Sequence, residues 1–271
     1  MSIAFLFPGQ GSQRPGMLHR LPDTTASATV LAEADMALRE LDVPGGIAEL
    51  DTPDALGSPV AGHTALLVAG VAGARALAED EGLSPLLVVG LDAGGYAAAV
   101  TAGVLTFEEA LRAVRLRGEL LERGLPPGHV AVRLAQHLAT VGRRPQALPW
   151  VSTVLGRCLH DDTNAVFDDL AQSAARPPRL PALAAAMTGE GAAYVLELPP
   201  GRVLADRAGE EMPGLRVVSV EEHGIADAAV LARGGDPSAV PEDEPADPSL
   251  AGEGWDAATG RYLAGGWGGG A

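Results

Sequence analysis

The chain has 271 residues and a net charge of −16, and 47% of its residues are hydrophobic while only 4% are aromatic. This composition is typical of a folded protein of one or two domains whose core is built from small aliphatic side chains. The acidic balance argues against nucleic acid and anionic membranes as partners, because both bind basic surfaces. The single cysteine, Cys158, excludes an internal disulfide and a metal site built from several cysteines, and we expect no metal site.

The sequence shows no signal for export or for a membrane span. The first residues lack the basic segment, the long apolar stretch and the cleavage site of a signal peptide. No apolar run reaches the length that is needed to cross a bilayer. We therefore expect a cytoplasmic protein.

Short apolar runs alternate with helical patterns along residues 1–233. Strands are predicted at residues 2–7, 86–89, 149–154, 193–198 and 215–220. Helices are predicted at residues 23–41, 62–77, 95–102, 106–123, 130–141, 164–174 and 183–187, with a short helix after Pro199-Pro200-Gly201. Strands that alternate with helices predict an α/β fold with a largely parallel sheet.

Residues 234–271 have a different character from the rest of the chain. Residues 236–256 are rich in Pro, Asp and Glu, and residues 265–271 are mostly Gly. Such a segment buries too little apolar surface to offset the entropy lost on ordering. We therefore predict one α/β domain over residues 1–233 and an acidic, disordered tail over residues 234–271.

Two Gly-rich turns are the candidate functional features. The first follows the first strand and reads Pro8-Gly9-Gln10-Gly11-Ser12-Gln13, in which the glycines permit tight turning and close approach to a ligand. The second follows the strand at 86–89 and reads Gly90-Leu91-Asp92-Ala93-Gly94. It has the form of a G-x-S-x-G nucleophile elbow with Asp in place of Ser.

Together, FLFPGQGSQRPGM and the elbow resemble the malonyl-CoA:acyl carrier protein transacylase family, and within it most closely the acyltransferase (epsilon) subunit of malonate decarboxylase. Residues 66–72, 114–120, 161–176 and 197–204 extend the resemblance over most of residues 1–233. The resemblance implies an acyltransferase fold with an α/β-hydrolase-like parallel-sheet core. It also implies malonyl transfer from coenzyme A to an acyl carrier protein thiol, with no cofactor beyond the coenzyme A thioester substrate. Malonyl-CoA, acyl carrier protein and other malonate decarboxylase subunits are the implied partners.

The resemblance assigns roles to individual residues. The backbone N–H groups of Gln10 and Ala93 would form the oxyanion hole. The glycines Gly9 and Gly11 would line the substrate cradle. Arg117, in the sequence Leu116-Arg117-Gly118, would hold the malonyl carboxylate through two parallel hydrogen bonds.

Arg117 and two groups of polar residues also have structural explanations. Arg117 is alternatively a helix-surface residue paired with Glu119 or Glu122. His63 lies in an apolar helical pattern, which favours a packed core or interface histidine. The acid pairs 161–162 and 168–169 are explained by a helix start and a solvated face, without a metal.

The sequence departs from the family pattern at the catalytic positions. Asp92 stands at the nucleophile position, and Thr153 stands where an Asn usually orients the catalytic His. The His motif of the family is absent, so His129 is the best remaining candidate base, although a loop or N-cap role is the alternative for it. The stretch that carries this motif in the family is missing before the helix predicted at residue 130. This stretch corresponds to most of the small ferredoxin-like subdomain of the family.

Three functions remain open after these departures. The first is a malonyl transferase whose catalysis is impaired by Asp92. The second is a non-catalytic relative that binds the carrier protein or other subunits. The third is a hydrolase with Asp92 as nucleophile. Loss of the small subdomain would expose apolar surface, so some self-association is expected.

Overall fold

The computed structural model describes residues 2–238, 255–256 and 261–262. The chain divides into a first unit, residues 1–235, and a second unit, residues 236–271. The strands of the first unit are β1 (Ile3–Phe7), β2 (Leu87–Gly90), β3 (Trp150–Ser152), β4 (Arg157–Leu159), β5 (Tyr194–Glu197) and β6 (Arg216–Ser219). Its α-helices are α1 (Thr25–Glu40), α2 (Pro59–Glu79), α3 (Gly94–Thr101), α4 (Phe107–Glu122), α5 (Pro127–Leu138), α6 (Thr163–Gln172), α7 (Leu180–Gly189), α8 (Val203–Glu211), α9 (Val220–His223) and α10 (Ile225–Ala232).

The six strands form one sheet in the order β4-β3-β2-β1-β5-β6. Every neighbouring pair is parallel except β3 and β4, which are antiparallel. The predicted α/β class with a largely parallel sheet is confirmed. Strand β1 is central and pairs with both β2 and β5, so the loops that follow these three strands meet at one edge of the sheet.

The two faces of β1 belong to two separate cores. Ile3, Phe5 and Phe7 pack into the larger cluster, while Ala4 and Leu6 pack into the smaller one on the opposite face. This alternation follows from the two-residue repeat of a strand that is covered on both faces. Helix α2 belongs to the larger core. The prediction that no apolar run reaches the length of a membrane span is wrong for α2, which is long and apolar enough to cross a membrane, but 83% of its most apolar window is buried inside the protein.

Several helix starts lie where the sequence predicts them, because local side chains cap them. The Thr24 side chain accepts a hydrogen bond from the Ser27 N–H at the start of α1. Thr106 and Glu109 form a capping box at the start of α4. Asp162 caps α6. These short-range contacts are readable from the sequence alone.

Other boundaries differ from the prediction. Helix α5 begins at Pro127 rather than at residue 130, because proline is well suited to a first helical turn. The edge strand β4 was not predicted, since it has only three residues. Residues 221–232, for which no helix or strand was predicted, belong to α9 and α10.

The second unit contains one antiparallel pair among its described residues. Trp255–Asp256 (β7) pairs with Arg261–Tyr262 (β8). The other residues of the predicted disordered tail, apart from 234–238, lie outside the described residues.

The connection between α4 and β3 is short. Between residues 122 and 150 the chain forms only the helix α5, and all strands within residues 2–238 belong to the one sheet. This agrees with the prediction that the small ferredoxin-like subdomain is largely absent.

The close packing of α4 on α2 depends on Gly118. A Cβ atom at this position would lie 2.5 Å from the Val60 Cα atom, which is backbone that side-chain rotation does not move. We expect Gly118→Ala to lower the free energy of unfolding by about 1–3 kcal/mol. Gly128→Ala is the matched control, because nothing lies within 4 Å of a Cβ there. Urea unfolding of both variants tests this, and equal stabilities would contradict it.

Candidate active site at the elbow

The turn between β2 and α3 has the geometry of an elbow. Asp92 has a φ of 52°, a left-handed conformation that Asp tolerates better than most residues. Helix α3 begins two residues later at Gly94, where a Cβ would lie 2.4 Å from the carbonyl oxygens of Phe7 and Pro8. Only glycine at residue 94 therefore allows the helix to start this close to the loop after β1.

The Gly-rich loop after β1 is in direct contact with the elbow. A Cβ on Gly9 would lie 2.5 Å from the Leu91 carbonyl oxygen. Gly11 has a φ of 104°, which favours glycine strongly. The structure therefore brings together the two Gly-rich turns that were predicted to be functional.

The Asp92 carboxylate is held by two of the groups that were predicted to bind substrate. The Arg117 guanidinium donates to Asp92 Oδ1. The backbone N–H of Gln10 donates to Asp92 Oδ2 over 3.2 Å. The carboxylate thus occupies both the predicted carboxylate-binding Arg and one of the two predicted oxyanion-hole donors. Ala93, the source of the other predicted donor, is buried at the N-cap of α3.

Arg117 is buried, with 2% of its surface exposed. Its Nη1 lies 3.5 Å from Ser173 Oγ, while its buried Nε has no hydrogen-bond partner within the described part of the chain. Burial lowers the pKa of Arg117 to about 10. The alternative of a surface Arg paired with Glu119 or Glu122 is wrong, since Glu119 instead pairs with Arg123 on the same helix.

His63 is fully buried on α2, as predicted for a core histidine. Its Nε2 lies 3.3 Å from Gln10 Oε1, so it supports the Gly-rich loop. Burial and the nearby Arg117 charge lower the pKa of His63 to about 3, so the ring is neutral at pH 7 and is a weak base. The apolar helical pattern around residue 63 carries no signal for this contact.

The structure does not bring His129 to the elbow. This residue is exposed in the first turn of α5, where it lines a separate cavity with Leu125, Val132 and Gln136. Because α5 begins at Pro127, His129 is part of a regular helix rather than of a loop over the elbow. The N-cap of α5 is Pro126 and His129 is the third helical residue, so it is neither a base at the elbow nor the loop or N-cap histidine of the alternative prediction.

A buried carboxylate fixes the loop after β3. Asp169 accepts hydrogen bonds from Trp150 Nε1, Ser152 Oγ and the N–H groups of Thr153 and Val154, at 2.5–3.3 Å. The interpretation of the pair 168–169 as lying on a solvated face is wrong for Asp169, which is 4% exposed. Thr153 Oγ1 is buried in this loop and lacks a hydrogen-bond partner among residues 2–238.

A cavity of about 940 Å³ opens beside the elbow. It lies outside the carboxyl ends of β1, β2 and β5, where the sheet order reverses and where α/β folds commonly bind ligands. Its walls combine loop residues, apolar side chains and two arginines: Gly9, Gln10, Ser12, Leu91, Asp92, Pro178, Arg179, Leu180, Pro181, Ala182, Val203, Leu204, Arg207 and Glu211.

Comparison with known proteins gives the family of this chain. Residues 4–168, which are more than half of the chain, match the acyl transferase domain family. The chain belongs to this family. The matched range contains the Gly-rich loop, the elbow and Arg117, so the acyl transferase domain includes all three parts of the site.

The curated relatives place this acyl transferase domain near the malonyl transacylases. The malonyl CoA-acyl carrier protein transacylase of Escherichia coli K12 is 36% identical over 130 residues, which cover 46% of this chain and 40% of the relative. The chain thus matches about two fifths of that relative's length.

Two solved structures share the fold. An acyl-carrier-protein S-malonyltransferase from Burkholderia pseudomallei 1710b has a TM-score of 0.75, with 23% identity, and the match covers 85% of this chain and 100% of the other. A malonyl-transacylase in complex with its type II polyketide acyl-carrier protein also has a TM-score of 0.75, with 22% identity, over 87% and 100% of the two chains. At these identities the likeness establishes the fold alone.

Proposed function

We propose that this acyl transferase domain is a malonyl-CoA:acyl carrier protein transacylase-like protein whose covalent step is blocked by Asp92. In this proposal the domain binds a malonyl thioester or its carrier protein without forming an acyl-enzyme. The observation that carries the proposal is the Asp92 carboxylate, which engages both Arg117 and the Gln10 N–H.

The arrangement lacks what Ser-dependent acyl transfer requires. Residue 92 offers no hydroxyl. Among residues 2–238, His63 is the histidine that contacts the Gly-rich loop, and its pKa is too low for an efficient base. A malonyl carboxylate placed beside the Asp92 carboxylate would also meet a like charge. Attack on a thioester carbonyl therefore has neither a nucleophile with an activating base nor a free oxyanion donor at Gln10.

The cavity beside the elbow supports binding by its shape and composition. The side chains of Leu180, Val203 and Leu204 give an apolar wall that suits the extended arm of a coenzyme A thioester or a carrier protein. Arg179 and Arg207 line the same cavity, and arginine is well suited to bind phosphate. A solved relative of the same fold is a malonyl-transacylase bound to an acyl-carrier protein, which supports a carrier protein as partner here.

A hydrolase with Asp92 as nucleophile has less support. Both oxygens of its carboxylate already accept hydrogen bonds, from Arg117 and from Gln10. The candidate base, His129, lines a different cavity. The finer resemblance to the malonate decarboxylase epsilon subunit, with other subunits of that complex as partners, stays a prediction.

Labelled malonyl-CoA and holo acyl carrier protein test the proposal. We expect intact mass to show no malonyl adduct on the protein, while titration calorimetry shows binding of malonyl-CoA or of the carrier protein. The Escherichia coli transacylase, assayed alongside, is the positive control for an adduct. An adduct mapped to Asp92 would establish a carboxylate nucleophile instead, and absence of both adduct and binding would refute the proposed role.

A further inference from the structure

A second cluster of reactive side chains lies away from the elbow cavity. Cys158 is on the edge strand β4, His160 follows that strand, and Glu190 is at the C-cap of α7. One ligand atom from each residue lies within 4.8 Å of the other two, and His160 Nε2 is 3.1 Å from a Glu190 carboxylate oxygen. The elbow cavity is lined by the opposite end of α7, and a helix of ten residues separates the two places by about 15 Å.

We propose that Cys158, His160 and Glu190 form a site for a divalent transition metal of the zinc class. This site is independent of the proposed function at the elbow. The single cysteine rules out a site built from several cysteines, and the sequence predicts no metal site; the fold, however, brings a histidine and a carboxylate to this thiol.

The backbone presents the three ligands toward one point. Cys158 and His160 are two residues apart at the sheet edge, which is the spacing that places side chains on the same side of a strand. Helix α7 packs against β4 and ends beside it, and Gly191, with a φ of 86°, turns the chain directly after Glu190. The site is thus formed by a strand edge and a helix end that are both fixed by packing.

The chemistry of the ligand set selects the metal. Zinc binds combinations of thiolate, imidazole and carboxylate at about 2.0–2.3 Å, which requires ligand atoms about 3.3–3.8 Å apart in a tetrahedron. The three ligand atoms lie within 4.8 Å of one another, and we expect metal binding to draw them to this spacing. Magnesium and calcium prefer sets made only of oxygen, so they do not match this site. Three protein ligands leave a fourth position, and the exposed fractions of 53% for His160 and 32% for Glu190 leave it open to solvent.

The surroundings of Cys158 argue against a reactive thiolate in the absence of metal. Burial and the neighbouring Glu190 carboxylate raise the pKa of the Cys158 thiol to about 11. A nucleophilic cysteine needs the opposite environment. A bound cation instead favours the deprotonated thiol, and metal binding then releases the Cys158 proton to solvent.

Cobalt titration of the untagged full chain tests this proposal. After dialysis against a chelator, we expect one equivalent of Co²⁺ to bind with a thiolate-to-metal charge-transfer band, and Zn²⁺ to displace it. Cys158→Ser should abolish that band. His160→Gln and Glu190→Gln should each weaken binding about 10- to 100-fold, which is the loss seen even when a supporting group is removed from a metal site.

Matched controls are available on the exposed surface. His223→Gln and Glu210→Gln change the same residue types elsewhere and should leave Co²⁺ affinity unchanged. A measurement on the unsubstituted protein guards against variants that fail to fold: Zn²⁺ should slow alkylation of Cys158, the only thiol in the chain. Bound Co²⁺ without the charge-transfer band, or an alkylation rate that Zn²⁺ does not change, would overturn the proposal.

Discussion

Replacing Asp92 by alanine is expected to lower the free energy of unfolding by about 3–5 kcal/mol, the range for removing one partner of a buried ion pair. The Arg117 side chain is 3% exposed, so its guanidinium would lose the one carboxylate that it contacts among residues 2–238. The cost comes from the uncompensated cation, with a contribution from the left-handed backbone at residue 92, which Ala tolerates less well than Asp, and little from lost packing, because the Asp92 side chain is 25% exposed. Urea unfolding, monitored by circular dichroism, measures the change.

The control for this substitution is an ion pair on the surface. Asp206→Ala removes a carboxylate that pairs with Arg202 within one helical turn, where both side chains are 52% exposed. Such exposed pairs contribute little to stability, because solvent screens their charges. If Asp92→Ala cost no more than Asp206→Ala, the elbow ion pair would not be the stabilising contact that the geometry indicates.

The Asp92→Ala variant also tests whether the Asp92 carboxylate occupies a carboxylate-binding site that is formed by Arg117 and the Gln10 N–H. Without the Asp92 carboxylate, Arg117 and the Gln10 N–H are free to bind an added carboxylate. Malonate should therefore stabilise Asp92→Ala, by about 2.7 kcal/mol at a concentration of 100 times its dissociation constant, and should have little effect on the unsubstituted protein. Equal stabilisation of both proteins by malonate would contradict occupation of this site by Asp92.

Restoring a hydroxyl with Asp92→Ser is expected to strengthen malonyl-CoA binding but not to give efficient acyl transfer. The substitution supplies a nucleophile and frees Arg117, yet it supplies no base. General-base catalysis contributes about 10²- to 10⁴-fold, so we expect the serine variant to transfer malonyl at least that much more slowly than the Escherichia coli transacylase. Stopped-flow binding and the rate of acyl-enzyme formation by intact mass separate the two effects.

Histidine variants identify any base that the geometry does not show. If Asp92→Ser transferred malonyl efficiently, adding His63→Gln or His129→Gln to it would show which ring takes the proton. Loss of transfer with His129→Gln would contradict the position of that residue in a separate cavity. Loss with His63→Gln would contradict a neutral ring with a pKa of about 3 acting only as a support for Gln10.

Much of this protein is determined by local sequence. The apolar runs at β1, β2, β5 and β6 predict the α/β class, and the starts of α1, α4 and α6 lie close to their predicted positions, because the capping side chains of Thr24, Thr106 and Asp162 act over a few residues. The Gly-rich loop and the elbow are likewise readable as motifs, since their glycines are required by backbone geometry.

Only the tertiary structure decided what these motifs do. Asp92 meets Arg117 across 25 residues and the Gln10 N–H across 82, and Asp169 is buried by a loop rather than exposed on its helix. The grouping of Cys158, His160 and Glu190 likewise depends on the packing of α7 against the sheet edge. Such side-chain contacts depend on how elements that are distant in the sequence pack together. No short-range sequence pattern therefore predicts them.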